Sequence, residues 1–202
     1  MEIINCQQGT PEWDKARLGI ITASCFGDVL AKGQGKTRRA YMLRVAAERL
    51  TGEKQETYSN GAMEWGKENE PKAREYYQEL NGCFVQEVGF VKLNDFIGCS
   101  PDGLVEEDGI IEIKCPYTTT HLETVLSNEV PTCYIPQIQG QLWITGRQWC
   151  DFISFDPRVS GRPLWCKRVF RDKDYIANLQ SETNIFADQL NELVKQFEKT
   201  EF

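Results

Sequence analysis

A mixed α/β fold, with a central β-sheet flanked by helices, is the class this sequence predicts, and three observations predict it. Apolar residues at three- and four-residue spacing dominate residues 11–80, short strand-like runs crowd about 83–115, and helical and strand-like segments alternate from 118 onward. At 202 residues, 41% hydrophobic and 11% aromatic, the chain can bury one sizeable core, so residues 1–202 read as a single domain. There is no internal repeat and no linker-like stretch.

The first helix is expected at about 11–18, started by Thr10-Pro11 and stopped at Gly19. Helices follow at about 23–31, 37–50 and 62–80. Strands are expected at about 83–92, 95–99, 103–106 and 110–115, then helices at 118–127 and 133–145. Strands at 149–156 and 164–170 precede a C-terminal helix over 172–198. In the 62–80 helix, Ala62, Gly66, Ala73, Tyr77 and Leu80 form a stripe that also carries Glu70. A carboxylate on a buried face is costly alone, so either a Lys or Arg satisfies it or it joins a metal site. In the 133–145 helix, Gln137 and Gln141 border the stripe Tyr134, Ile138, Leu142 and Thr145. They are either flanking polar residues or neutral amides that contact phosphate or metal-bound water without adding charge.

The stretch CSPDGLVEEDGIIEIKCPY, residues 99–117, reads as a β-hairpin. Glu112 and Lys114, two apart in a strand, share one face. A two-residue turn at Asp108-Gly109 would send Asp102 to the opposite face. A three-residue loop, Glu107-Asp108-Gly109 with Gly109 left-handed, instead pairs Asp102 with Lys114 and Leu104 with Glu112, and this register is expected. Asp102, Glu112 and Lys114 then share a face, and Val105, Ile111, Ile113 and Cys115 share the other. Two adjacent carboxylates repel unless a divalent cation lies between them, and a nearby ammonium can orient a water.

Composition limits the alternatives. Eight cysteines are scattered without a C-x-x-C pair and the lone histidine is His121, which argues against a zinc site or disulfide framework and for reduced, mostly buried thiols. No apolar run approaches the roughly 18 residues of a membrane span. The opening MEIINCQQGTPEW lacks the basic and apolar regions of a signal peptide, so a cytoplasmic protein without a membrane partner is expected. The net charge of −7 argues against indiscriminate nucleic-acid binding. Residues 32–49 nevertheless hold six Lys or Arg against one Glu, either a solvated helix face or a surface for a phosphate-bearing substrate.

Pro101-Asp102, a variable gap and Glu112-x-Lys114 form the pattern of the PD-(D/E)XK nuclease superfamily, which has a restriction-endonuclease-like core. The blocks EWDKARLGIITAS, EWGKENEPKAR, CSPDGL, IEIKCPY, QIQGQLWIT and FDPR occur in the order and approximate spacing of the phage lambda exonuclease and YqaJ-like viral recombinase family. The chain resembles a bacterial prophage member of that family from Gln8 to about residue 185.

The resemblance implies a Mg²⁺-dependent exonuclease, with Mn²⁺ as an alternative, that degrades the 5′-phosphorylated strand of linear double-stranded DNA processively from 5′ to 3′. It implies Asp102, Glu112, the Ile113 carbonyl and Glu70 as metal ligands, Lys114 as the group orienting water, and Gln137 close to the scissile phosphate. Arg17, Ser24 and Ser100 resemble a 5′-phosphate pocket, which suits the planar donor fork of Arg and neutral hydroxyls. Met63 stands where the family has a wedge between terminal base pairs. Family members form homotrimeric rings around the duplex and hand single-stranded product to an annealing protein, and a ring lets an acidic exterior coexist with a basic channel. The family's arginine in the loop after the second helix has no clear match in AKGQGKTRR, where Lys36 or Arg38 substitutes as the DNA contact. Related bacterial recombination nucleases favour Gln-x-x-x-Tyr, whereas here the fourth-on residue is Gln141, so no tyrosine role carries over. The alternatives are an endonuclease of the same superfamily and a non-catalytic DNA-end-binding protein.

Overall fold

A short strand, β1 (Glu2–Ile4), leads into α1 (Pro11–Arg17), where the Thr10 hydroxyl accepts the Trp13 N–H and Pro11 sits in the first turn, where no donor is needed. The computed structural model describes residues 1–31, 36–55 and 61–200 of the chain. Gly19 ends α1 with φ +70°, and the turn is clamped by α3 (Lys36–Thr51): Glu48 accepts the Gly19 N–H and Arg49 donates to the Gly19 carbonyl. Between them lie β2 (Ile21–Thr22), a 3₁₀ turn (Ala23–Cys25) and α2 (Phe26–Val29). α4 (Gly61–Asn81) runs through Pro71, which cannot donate to the carbonyl four residues back, immediately after Glu70.

The strands β3 (Val85–Gln86), β4 (Phe90–Lys92), β5 (Ile97–Cys99), β6 (Gly103–Val105) and β7 (Gly109–Lys114) follow. Then come α5 (Thr118–Ser127), α6 (Ile135–Thr145), β8 (Trp149–Phe155), β9 (Leu164–Phe170) and α7 (Lys173–Glu198). They build two mixed sheets, ordered β1-β4-β5-β2 and β3-β6-β7-β8-β9. α5 and α6 carry the crossover from β7 to β8, which pair in parallel from Gly109↔Trp149 to Lys114↔Ser154. The mixed α/β class is therefore as expected, with the single central sheet resolved into two. The run expected as one strand over 83–92 breaks at Glu87–Gly89, and β3 and β4 enter different sheets. β1 and β2 are further strands, three and two residues long, too short for alternation to mark them.

β7 is covered on both sides. Ile110 faces a core with Phe152, Ile138 and Leu142, while Ile111, Ile113 and Cys115 face Ala73 and Tyr77 of α4. Burying each such side chain contributes roughly 1.5–3 kcal/mol. α6 approaches α2 closely at Gly140, where a Cβ would stand 2.3 Å from the Phe26 ring. The expected stripe on α4 holds at Ala73 and Tyr77 but not at Leu80, which is 62% exposed. The cysteines are free thiols, but only three of the eight are buried, and Cys133 and Cys166 are exposed. His121 is buried, bonded to Ser154 and the Arg162 carbonyl.

The hairpin register differs from expectation by two residues. The pairs are Gly103↔Ile111, Leu104↔Ile110 and Val105↔Gly109, so the three-residue loop is Glu106–Asp108 and its left-handed residue is Glu106, φ +48°. Gly109 is instead drawn into β7, where it lies against the Trp149 ring; a Cβ there would sit 2.1 Å from it. A shift of two preserves the period of two, so the predicted faces survive although the predicted pairs do not.

Candidate active site

Three elements bring carboxyls together at the end of β7. Asp102 follows Pro101 at the entrance to β6, its N–H bonded to the Ile111 carbonyl and its Oδ2 accepting the Ile113 N–H at 2.6 Å. Glu112, 1% exposed, points from β7 toward α6, where Gln137 Nε2 donates to Oε1 at 2.6 Å and Gln141 Nε2 to Oε2 at 2.7 Å. Lys114 completes the pair at 2.5 Å from Glu112 Oε1, with its ammonium over the Tyr134 ring. Glu70 reaches in from α4, close enough that it and Asp102 act on each other electrostatically. The structure thus gathers Asp102, Glu112, Lys114, Glu70 and Gln137, five residues from four elements.

Their electrostatics follow from crowding. Burial, then Glu112 and Glu70, pushes the Asp102 carboxyl well above the carboxylate range. Burial also raises Glu70, opposed by the Arg74 guanidinium. Burial alone would lower Lys114, but Glu112 and Asp102 outweigh it and raise its pKa, so the ammonium stays charged. Arg74 was not singled out from the sequence. Its side chain donates to the Asp102 carbonyl at 3.1 Å and pairs with Glu70 at 3.5 Å and Glu87 at 2.9 Å. Of the two alternatives posed for Glu70, the arginine partner is present, and the carboxyl also lies close to Asp102 and Glu112. Asp102, Glu70 and Arg74 line a cleft of about 530 Å³ together with Trp13, Lys54 and Lys67.

Trp13 joins a second cluster to the first. The Arg17 guanidinium lies 3.9 Å from the centre of its ring, and its indole N–H reaches Ser100 Oγ at 2.9 Å, two residues before Asp102. Arg17 Nε is buried without a hydrogen-bond partner among the described residues. Ser24 is exposed and bonded to Thr22 Oγ1 at 3.2 Å. The helical spacing of Trp13 and Arg17, i and i+4, could have revealed their stacking, but not the bond to Ser100.

Of the expected DNA contacts, Arg38 is engaged elsewhere. Arg38 donates to the Val29 carbonyl and to Gln189 and stacks over Phe186, which latches α3 to α7. Lys36 is exposed at the start of α3, and Met63, 47% exposed, lies in the first turn of α4. Residues 32–35 of the basic loop fall outside the described residues. The FDPR block proves structural: Asp156 is buried, bonded by Thr118 and by a two-pronged Arg158, whose guanidinium covers Trp65.

Residues 12–148 match the model of the YqaJ-like viral recombinase domain. The chain belongs to that family. It is 41% identical to an alkaline exonuclease, LHK-Exo, from Laribacter hongkongensis, over 94% of this chain and 97% of that one, with a TM-score of 0.89. The same enzyme in complex with dAMP matches equally, with a TM-score of 0.89. A phage-related exonuclease from Haemophilus somnus 129PT, 16% identical over 88% of this chain and 96% of that one, shares the fold with a TM-score of 0.68. No curated protein gives a match. This YqaJ-like chain thus shares its fold and much of its sequence with an alkaline exonuclease. Among the described residues no helix is long and apolar enough to cross a membrane.

Proposed function

We propose that this YqaJ-like protein is a Mg²⁺-dependent 5′-to-3′ exonuclease that degrades the 5′-phosphorylated strand of linear double-stranded DNA and leaves a 3′ single strand for recombination by annealing. The observation that carries the reading is the Trp13 bridge. It ties a half-buried Arg17, whose Nε is buried without a partner among the described residues, to Ser100, and so to the Asp102 carboxyl cluster two residues on.

The carboxyls suit a hard divalent cation. Among the described residues no three His, Cys, Asp or Glu side chains stand in ligating geometry, because Glu112 is turned to Lys114, Gln137 and Gln141. The donor chemistry nevertheless fits: Glu112 and Glu70 raise the pKa of Asp102, Glu112 also raises that of Glu70, and a cation among the three carboxyls would relieve that repulsion. Asp102, Glu112, Glu70 and the Ile113 carbonyl are the ligands for Mg²⁺, with Mn²⁺ as a substitute. The cation supplies charge stabilisation of the scissile phosphate and a more acidic water. Lys114 stays protonated beside Glu112 and orients water rather than abstracting its proton. Gln137, a neutral donor, can contact a phosphate oxygen without adding charge.

Arg17 with Ser100 and Ser24 would hold the terminal 5′ phosphate, since a half-buried guanidinium whose Nε has no partner among the described residues favours an anion. That grip would set polarity and favour processivity. Met63 and Lys36 would meet the duplex. Arg38 is committed to Val29 and Gln189, so its role is to fix α3. A homotrimeric ring, an annealing protein as partner and a cytoplasmic setting in a bacterial host complete the reading. The test is digestion with Mg²⁺ of linear duplexes ending in 5′ phosphate or 5′ hydroxyl, with a covalently closed circle alongside. Preference for the phosphate end and an intact circle support the exonuclease; a cut circle makes it an endonuclease, and binding without cleavage an end-binding protein.

A further inference from the structure

The grip of α6 on Glu112 is asymmetric. Oε1 receives two donors, Gln137 Nε2 at 2.6 Å and Lys114 Nζ at 2.5 Å, while Oε2 receives one, Gln141 Nε2 at 2.7 Å. The two glutamines differ in setting. Gln137 is half-buried, whereas Gln141 is 1% exposed and inside the core. Gln141 Oε1 has no hydrogen-bond partner among the described residues. Reversing the amide would turn that oxygen onto a carboxylate, so the donor orientation is dictated by Glu112. For packing alone, Met or Leu of similar volume would serve better, with no buried acceptor left unpaired. The position is thus costly for stability, and its amide donates chiefly to Glu112 Oε2, at 2.7 Å, with only a long contact of 3.5 Å to the Ser100 carbonyl besides.

We propose that Gln141 is a positioning residue for the carboxylate site. It fixes Oε2 and thereby the rotation of Glu112, so that Oε1 is presented to a divalent cation. Oε1 is the oxygen held by groups able to withdraw, a long lysine side chain and a half-buried amide. The two glutamines one helical turn apart then act differently: Gln141 builds cation affinity, and Gln137 serves the substrate. This rests on the metal-dependent reading above.

The test is Mn²⁺ titration of the full chain without DNA, by electron paramagnetic resonance, with melting followed by circular dichroism. Gln141→Met and the more conservative Gln141→Asn, whose amide stops one methylene short, should each weaken Mn²⁺ binding about 10- to 100-fold, whereas Gln137→Met should change it by about threefold or less. Folded Gln141→Asn with wild-type affinity would overturn the assignment, as would equal losses in the Gln137 and Gln141 variants. Should Gln141→Met fail to fold, Gln141→Asn carries the comparison. A wild-type chain that binds no Mn²⁺ would instead overturn the metal-dependent reading, and this inference with it.

Discussion

Replacing Lys114 by Met strips the one cation that, among the described residues, contacts a carboxylate that is 1% exposed. At 2.5 Å and an effective dielectric constant of about 20, the gross attraction is roughly 7 kcal/mol. Desolvation of both groups takes back much of that, and removing one partner of a buried pair costs about 3–5 kcal/mol in practice. Gln137 and Gln141 still donate to Glu112 in the variant, which places the expected loss near the lower end, about 3 kcal/mol. With a urea dependence near 3 kcal/mol per molar, the unfolding midpoint should fall by about 1 M in EDTA-containing buffer. The double variant Lys114→Met/Glu112→Gln should recover at least half of the loss, since no uncompensated charge remains. A single variant within about 0.5 kcal/mol of wild type, or a double variant no more stable than the single, would refute the buried-pair argument.

Other outcomes follow from the same geometry. Arg17→Ala should reduce preference for a 5′-phosphate over a 5′-hydroxyl end by about 10- to 100-fold, the range of a charge-assisted hydrogen bond, in competition between the two duplexes. Gly140→Ala should destabilise by about 1–3 kcal/mol in chemical denaturation, because its Cβ has no room beside Phe26. Asp156 is held well below the usual carboxylate range chiefly by Arg158, so its contribution exists above the unfolded value of about 3.9 and is lost as pH falls below it. Asp156→Asn should therefore lower the melting temperature at pH 7, with the gap to wild type closing as the pH drops below about 4.

How much of this was legible in the sequence depended on the kind of signal. Long elements such as α4, α6 and α7 showed their apolar periodicity, and the side-chain period of two placed Asp102, Glu112 and Lys114 on one face of the hairpin. The loop itself misled: Glu107-Asp108-Gly109 with a left-handed Gly109 was expected, but Trp149 packs over Gly109 and draws it into the strand, leaving Glu106 to take the left-handed conformation. β1 and β2 are too short to carry a pattern and form only because β4 and β5 stand beside them. Arg74 and Trp13 act through partners far away in sequence, which no local spacing announces. Gln141 was visible as a helix-face residue, but its burial against Glu112 is a fact of tertiary packing.

The measurement that tests the central claim most directly is a time course on a linear duplex with 5′ phosphates, labelled at the 5′ end of one strand in one sample and at its 3′ end in another, with Mg²⁺ and with EDTA. The account predicts immediate Mg²⁺-dependent release of the 5′ label as a mononucleotide, late release of the 3′ label, and no release by Glu112→Gln. Early release of the 3′ label, or equal release in EDTA, would contradict it.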